Sequence, residues 1–511
     1  MPLRKPSKIR PATMKSTIPL IFVILSTLQV FGPVPAAAQP ALPRSAPEAQ
    51  GIDSEAILDF VETAERQIDA LHSFMLIRHG RVVAEGWWAP YAADRRHELY
   101  SLSKSFTATA VGLAVAEGKI SLDDTVLGHF PGEAPADPGA NLKAMRLRDL
   151  LRMSTGQEKE PPTGPAQVSV QTFLAQPVPC KPGTRFLYNT AATFVLSAVV
   201  QKATGQTVLE YLKPRLFEPL GIVDPTWEAN FQGISLGGYG LSLRTEDLAR
   251  FGLLYQQQGR WQGKQLVPAS WVEAATSCQT SNGSHPDSDW DQGYGFQFWR
   301  SRHGAYRGDG AFGQFCVVMP EQDAVLVITG GVKDMPAVLN LVWEKLLPGI
   351  HEKRLPKNRA MEQALRTRLA GLTLPKPEGQ ATSPRFAQVA GREFFFPDNE
   401  QQLEAIRLEP VPEQDGLVLV VRRNGIEQRV RCGHERWEEG RYILGAAPER
   451  PMAARGAWSA DDTYTVRLCF METPFTLTLR LRFAVDQVFH DSELNVSFGP
   501  TRQPQLVGKA R

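Results

Sequence analysis

Ser101 and Lys104 stand three residues apart in Tyr100-Ser101-Leu102-Ser103-Lys104-Ser105-Phe106-Thr107. A run of small and apolar residues from Ala108 to Val115 follows and reads as a buried helix ending near Gly118. In a helix beginning around Ser101, the two side chains share a face and meet. A serine hydroxyl is a weak nucleophile until a neighbour takes its proton. A lysine can be that neighbour once its pKa drops well below the ordinary value of about 10.4, through burial, a nearby cation or the positive end of a helix. The same first turn leaves backbone N–H groups unpaired, and that of Ser101 is placed to face an oxyanion. Helix stability alone favours a different residue there: a capping box wants Glu or Gln, whereas this chain sets a lysine against the dipole. Of all the serines, Ser101 alone is followed by lysine three residues on.

Tyr188 is a second candidate. It lies in Thr184-Arg185-Phe186-Leu187-Tyr188-Asn189-Thr190, just before an apolar helix expected from Ala191 to Gly205. A phenol beside a lysine can share its proton and serve as acid or base. On local grounds alone, a tyrosine packed at a helix entry is the simpler reading. Gly237-Gly238-Tyr239-Gly240 is a weak phosphate motif without a preceding strand, and marks a tight loop or a close backbone approach.

These residues need elements to hold them. Helical spacing predicts a helix over Ser54 to Leu71, then a hairpin whose strands, Phe74 to Ile77 and Val82 to Ala84, flank Arg78-His79-Gly80-Arg81, with His79 as a turn residue. Leu147 to Leu151 reads as a short helix, and Thr245 to Gln258 as a longer one. Three strands are expected at Tyr294 to Trp299, Phe315 to Met319 and Ala324 to Thr329, followed by a helix from Met335 to Leu347. Residues 354–384, charged and then rich in proline, read as a linker. Beyond it the pattern becomes strict alternation, as in Phe475, Leu477, Leu479, Leu481 and Phe483. Asn424-Gly425 joins Leu417–Arg423 to Ile426–Cys432 as a hairpin. Residues 385–511 are therefore expected to form a separate all-β antiparallel domain.

The length of 511 residues implies two or three domains. A formal charge of +2, with no long basic run outside the N-terminus, gives no support to nucleic-acid binding. Arg4, Lys5, Lys8, Arg10 and Lys15 precede an apolar stretch from Ile18 to Val34 and then Pro35-Ala36-Ala37-Ala38-Gln39. That is the form of a secretory signal over residues 1–38, cleaved after Ala38, which implies a periplasmic or secreted protein. Pro19, Gly32, Pro33 and Pro35 make the same stretch a poor membrane-spanning helix. The five cysteines are scattered, with no C-x-x-C or H-E-x-x-H pattern, so neither metal nor cofactor is expected. Pairing of Cys432 with Cys469 stays open.

Taken in order, the landmarks resemble the serine β-lactamase and penicillin-recognising superfamily, above all its class C, esterase and D-aminopeptidase branch. Ser101 to Lys104 matches that family's Ser-x-x-Lys motif, and Tyr188 the tyrosine of its Tyr-x-Asn motif. Leu150-Leu151-Arg152-Met153-Ser154-Thr155-Gly156 is similar to its LL-x-x-S-G segment. Gly308-Asp309-Gly310 stands at its Lys- or His-Thr/Ser-Gly strand. The resemblance implies a β-lactamase-like α/β plus all-α domain over residues 39–353. It also implies acyl transfer by Ser101, with Lys104 and Tyr188 as general base and acid and the N–H groups of Ser101 and Ala311 as oxyanion hole.

Two departures bear on the substrate. Thr190 occupies the place of the family's asparagine, with Asn189 one position early, where it is expected to reach a substrate amide. Asp309 replaces the cation that greets a substrate carboxylate, and pointing into the cleft beside Gly310 it would repel one. The following Gly310-Ala311-Phe312-Gly313-Gln314 is more similar to aminohexanoate-dimer hydrolase and esterase relatives. The expected substrate is therefore a small ester, amide or peptide. A non-catalytic binder of cell-wall peptides and a true class C β-lactamase are the alternatives.

Overall fold

The structure, a computed structural model, describes residues 41–411, 416–445 and 448–510; the expected signal segment lies outside the described residues. Asp53 caps the first long helix, α1 (Ser54–Gln67), by accepting from the Glu55 N–H. Two strands follow, β1 (Leu71–Arg78) and β2 (Arg81–Trp87). Their two-residue turn, His79-Gly80, has positive φ at both positions, as a tight hairpin requires. Further along come β3 (Trp299–Arg300), β4 (Tyr306–Gly310), β5 (Gln314–Met319) and β6 (Ala324–Gly330). They form one antiparallel sheet in the order β2-β1-β6-β5-β4-β3.

The sheet is buried on both faces, and alternation sorts its side chains. Phe74 and Leu76 join Leu326 and Ile328 under α1 and a helix beginning at Met335. Met75 and Ile77 join Val325 and Val327 on the other face, with the helical layer. That layer contains α2 (Ser103–Ala116), α3 (Thr190–Thr204) and α4 (Thr245–Gln256). Helix α2 is buried almost all round, which explains its lack of a polar face. Gly252 lets α4 lie close on the sheet, since a Cβ there would stand 2.6 Å from Val325.

Two details differ from the sequence-based expectation. The segment from Tyr294 to Trp299 is not a continuous strand: Tyr294 makes only isolated bridges to Thr280 and Trp299, and a strand begins only at Trp299, because positive φ at Gly293 and Gln297 bends the chain. Residues 354–384 contain a helix, α5 (Arg359–Ala370), whose Leu365 is buried in the same core as α1 and whose Arg368 pairs with Glu65.

The C-terminal part is an antiparallel sheet of ten strands among the described residues. In chain order these are β7 (Glu393–Phe395), β8 (Leu403–Pro410), β9 (Leu417–Arg423), β10 (Ile426–Cys432), β11 (Glu438–Tyr442), β12 (Arg450–Ala460), β13 (Thr463–Cys469), β14 (Thr476–Phe483), β15 (Gln487–Leu494) and β16 (Leu506–Ala510). Their order is β10-β9-β8-β7-β16-β15-β14-β13-β12-β11, so the two edges belong to β10 and β11. Gln428 of β10 closes the gap: its side chain donates to the Ile443 carbonyl at 3.3 Å and accepts from the Ile443 N–H at 2.6 Å. The sheet is thus nearly a barrel, which protects edges that would otherwise invite aggregation. Leu477, Leu479, Leu481 and Phe483 point inward. All five cysteines are free; Cys432 belongs to the barrel interior and Cys469 to the core it shares with the six-stranded sheet.

The barrel docks on the sheet domain through bonds to main-chain carbonyls. The Glu98 N–H donates to the Glu472 carbonyl at 2.9 Å, and Asn495 donates to the Gly331 carbonyl at 2.9 Å. The Tyr91 hydroxyl donates to the Thr473 carbonyl at 3.0 Å.

Candidate active site

Ser101 lies in a tight turn, Tyr100–Leu102, that runs directly into α2. Tyr100 has φ +47, an uncommon value for a bulky residue, and it sets the hydroxyl of the next residue at the surface of the turn. Lys104 follows in the first turn of α2 and is 1% exposed. Its Nζ lies 3.0 Å from Ser101 Oγ, 2.9 Å from the Gly238 carbonyl and 3.3 Å from Thr190 Oγ1. Burial brings the Lys104 amine down to about 7, against the opposing fields of Glu160 and Asp309. A neutral amine has two N–H bonds and one lone pair. With Thr190 and Gly238 taking the two N–H bonds, the lone pair is left for the hydroxyl of Ser101.

The third group comes from the entry to α3. Tyr188 lies beside Ser101 and interacts with it electrostatically, and its ring centroid is 4.8 Å from Lys104 Nζ. Its ring stacks on Trp299 at 5.3 Å and meets Tyr294 edge-on at 6.2 Å. Burial pushes the phenol above its ordinary range, with Asp309 adding to the shift. It therefore carries its proton at neutral pH.

The glycines explain how these parts approach each other. A Cβ on Gly238 would stand 2.5 Å from Thr190 Cγ2, and one on Gly310 would stand 2.1 Å from the Leu99 carbonyl. The Gly-rich loop thus brings its backbone onto Lys104, and the end of β4 lies against the turn that carries Ser101. Ala311 follows immediately. No carbonyl among the described residues accepts from the N–H of Ser101 or of Ala311, so both donors are available to an incoming oxygen.

Asn189 and Asp309 are placed differently from the sequence-based expectation. Asn189 is fully buried as the N-cap of α3: its Oδ1 accepts from the Ala192 N–H at 3.0 Å and its Nδ2 donates to Gln157 at 2.7 Å. Both ends of the amide are used, so it does not reach a substrate. Asp309 is also buried, and its Oδ2 accepts from Arg307 at 2.9 Å. The Arg307 guanidinium lies over Trp290 and donates further to Ser301 and to the Asp289 carbonyl. Asp309 is thus a paired structural carboxylate, raised by burial and drawn down by Arg307, rather than an exposed repelling charge. Gly310 contributes backbone alone.

Arg307→Met would leave that carboxylate buried without its partner. Removing one member of a buried pair costs about 3–5 kcal/mol. The expected result is a urea-unfolding free energy lower by about that amount; a change below about 1 kcal/mol would mean that Asp309 is held by other groups.

Sequence reasoning missed Thr190 as a partner of Lys104, although it stands two residues after the tyrosine. It also missed Gln297, whose carbonyl accepts from Ser105 and whose side chain accepts from Thr193, tying α2 to α3. No local pattern marks Gln297.

A profile of the family described as Beta-lactamase matches residues 64–330, just over half of the chain. With the Ser101 turn, the Gly-rich loop and the antiparallel sheet lying inside that range, the chain belongs to the beta-lactamase family. It is similar to 6-aminohexanoate-dimer hydrolase of Paenarthrobacter ureafaciens, 27% identical over 281 residues that cover 50% of this chain and 71% of the relative. It is also similar to lovastatin esterase of Penicillium rubens, 26% identical over 172 residues, 28% of this chain and 42% of that one. A solved structure carrying the name 6-aminohexanoate-dimer hydrolase, from Bacillus anthracis, superimposes with a TM-score of 0.50 at 19% identity. It covers 63% of this chain and 90% of its own, and shares the fold.

Proposed function

We propose that this beta-lactamase-family serine hydrolase cleaves a small ester or amide through an acyl-enzyme on Ser101. Neutral Lys104 takes the proton of Ser101 as Oγ attacks the carbonyl carbon. The N–H groups of Ser101 and Ala311 hold the oxyanion. Tyr188, a protonated phenol, gives its proton to the leaving group and recovers one through Lys104, and a water then releases the acyl group by the reverse route. The observation that carries this reading is the 3.0 Å contact between Ser101 Oγ and a buried amine brought down to about 7. The names of the relatives, a 6-aminohexanoate-dimer hydrolase and an esterase, agree with it. The N-terminal charge and apolar run support export to the periplasm or beyond.

The absence of a lysine or histidine at Asp309, and the pairing of Asp309 with Arg307, weigh against efficient turnover of carboxylate-bearing β-lactams. A panel of p-nitrophenyl acetate and butyrate, D-amino-acid amides and nitrocefin tests the reading. Turnover of an ester or amide, with nitrocefin slow, is expected. Rapid nitrocefin hydrolysis would make it a β-lactamase. Inertness towards the whole panel and towards a fluorophosphonate would favour the peptide binder.

The pH dependence has a defined sign. Lys104 works only when unprotonated, so kcat/KM is expected to be flat above about 7 and to fall about tenfold per unit below it. A profile that falls with rising pH between 6 and 9 would contradict the amine as base.

A further inference from the structure

Four aromatic rings from two domains cluster beside Ser101 and Ala311. Tyr100 precedes Ser101 and Phe312 follows Ala311; both have positive φ, +47 and +66, and their rings lie 5.5 Å apart. The barrel supplies the other two. Phe475, just before β14, lies 6.5 Å from Tyr100 and 5.9 Å from Phe312. Phe498, between β15 and β16, lies 5.8 Å from Tyr100 and 4.7 Å from Phe312. Phe498 nonetheless remains 77% exposed, the most exposed large apolar side chain among the described residues. Holding bulky residues at positive φ on both sides of the hole is costly unless the surroundings enforce it, and such positions cluster at ligand sites.

We propose that this four-ring wall is the acyl pocket of the enzyme, completed by the barrel, and that Phe498 selects substrates with an apolar chain or aryl ring on the carbonyl carbon. The inference rests on Ser101 being the nucleophile. The direction follows from the chemistry of the tetrahedral intermediate. Its oxyanion faces the N–H groups of Ser101 and Ala311, and its leaving group must lie within reach of Tyr188. The ring of Tyr188 packs in a separate set with Trp299 and Tyr294, which touches none of the four wall rings in the ring contacts described above. The acyl substituent is left for the wall. The polar groups beside Tyr100 do not alter this: Arg450 is shared between Glu98 at 3.8 Å and Glu228 at 3.7 Å, so it is already matched by two carboxylates. An apolar chain covering Phe498 removes that ring from water, and each buried methylene adds about fourfold to transition-state binding.

The test compares kcat/KM for p-nitrophenyl acetate, butyrate, hexanoate and octanoate in the full chain, in Phe498→Ala and in Val485→Ala. Val485 is equally exposed, at 73%, on a barrel turn outside the wall. The octanoate-to-acetate ratio is expected to be at least tenfold in the wild type, to fall about tenfold in Phe498→Ala and to be unchanged in Val485→Ala. Since Phe498 is mostly exposed, its removal does not endanger folding. If turnover is slow, the relative rates at which ethyl and octyl fluorophosphonates label Ser101 give the same ratio. An unchanged ratio in Phe498→Ala, with Ser101 still reactive, overturns the inference and leaves the proposed function standing. A change confined to an ethyl-to-octyl acetate series would put the leaving group at the wall and also overturn it. A wild type that neither turns over esters nor labels at Ser101 removes both.

Discussion

Ser101→Ala is expected to lower kcat/KM for p-nitrophenyl butyrate by about six orders of magnitude. That is the scale seen when a nucleophile that acts as a unit with its base is removed. The fold should be indifferent to the change: only one hydroxyl is lost, and Lys104 keeps its bonds to Thr190 and Gly238. An unaltered circular dichroism spectrum and melting temperature would therefore accompany the loss. Retention of even one per cent of activity by a folded variant would place the chemistry elsewhere.

Lys104→Met and Lys104→Arg form the second pair. Methionine fills most of the buried channel without a basic atom, and loss of a general base costs about 10²–10⁴ in rate. Arginine keeps a positive charge but holds its proton at every accessible pH. If Lys104 acts by accepting a proton, both variants fail alike in kcat. If it acts only as a cation that stabilises developing negative charge, arginine retains most of the activity. Comparable loss in both, measured on the same ester, is the expected outcome.

The Ser101–Lys104 turn was legible because its geometry is local. A serine and a lysine at helical spacing must meet if the segment is helical, and the small apolar residues after it made that certain. Tyr188 is different: its own neighbourhood favoured plain packing, and only its order among the other landmarks pointed to the cleft. Asn189 was misplaced because a polar residue before a helix has two uses, and the N-cap bond to Ala192 takes precedence when both amide ends have buried partners. Asp309 was read without Arg307, two residues away on the same face of β4, which neutralises it. The aromatic run from Tyr294 looked like a strand, but Gly293 and Gln297 at positive φ turn it away after the two isolated bridges of Tyr294.

The barrel was legible as an element but not as a part of the cleft. Alternation in β14 identifies an inward face; it carries no information on where the loops at the strand ends go. Phe475 and Phe498 reach Tyr100 across more than 370 residues of chain, and such a contact is set by how the two domains dock through Glu98, Tyr91 and Asn495. The proposed acyl pocket depends on that docking, and a serine-hydrolase motif does not encode it.

The most direct measurement is the site of covalent modification by a fluorophosphonate, mapped by peptide mass spectrometry on the full chain at pH 8. One adduct per chain, on the peptide carrying Ser101 and absent from both Lys104 variants, is the expected result. An adduct on any other serine, or a Ser101 that labels equally well without Lys104, would contradict the pairing of hydroxyl and buried amine at the centre of the account.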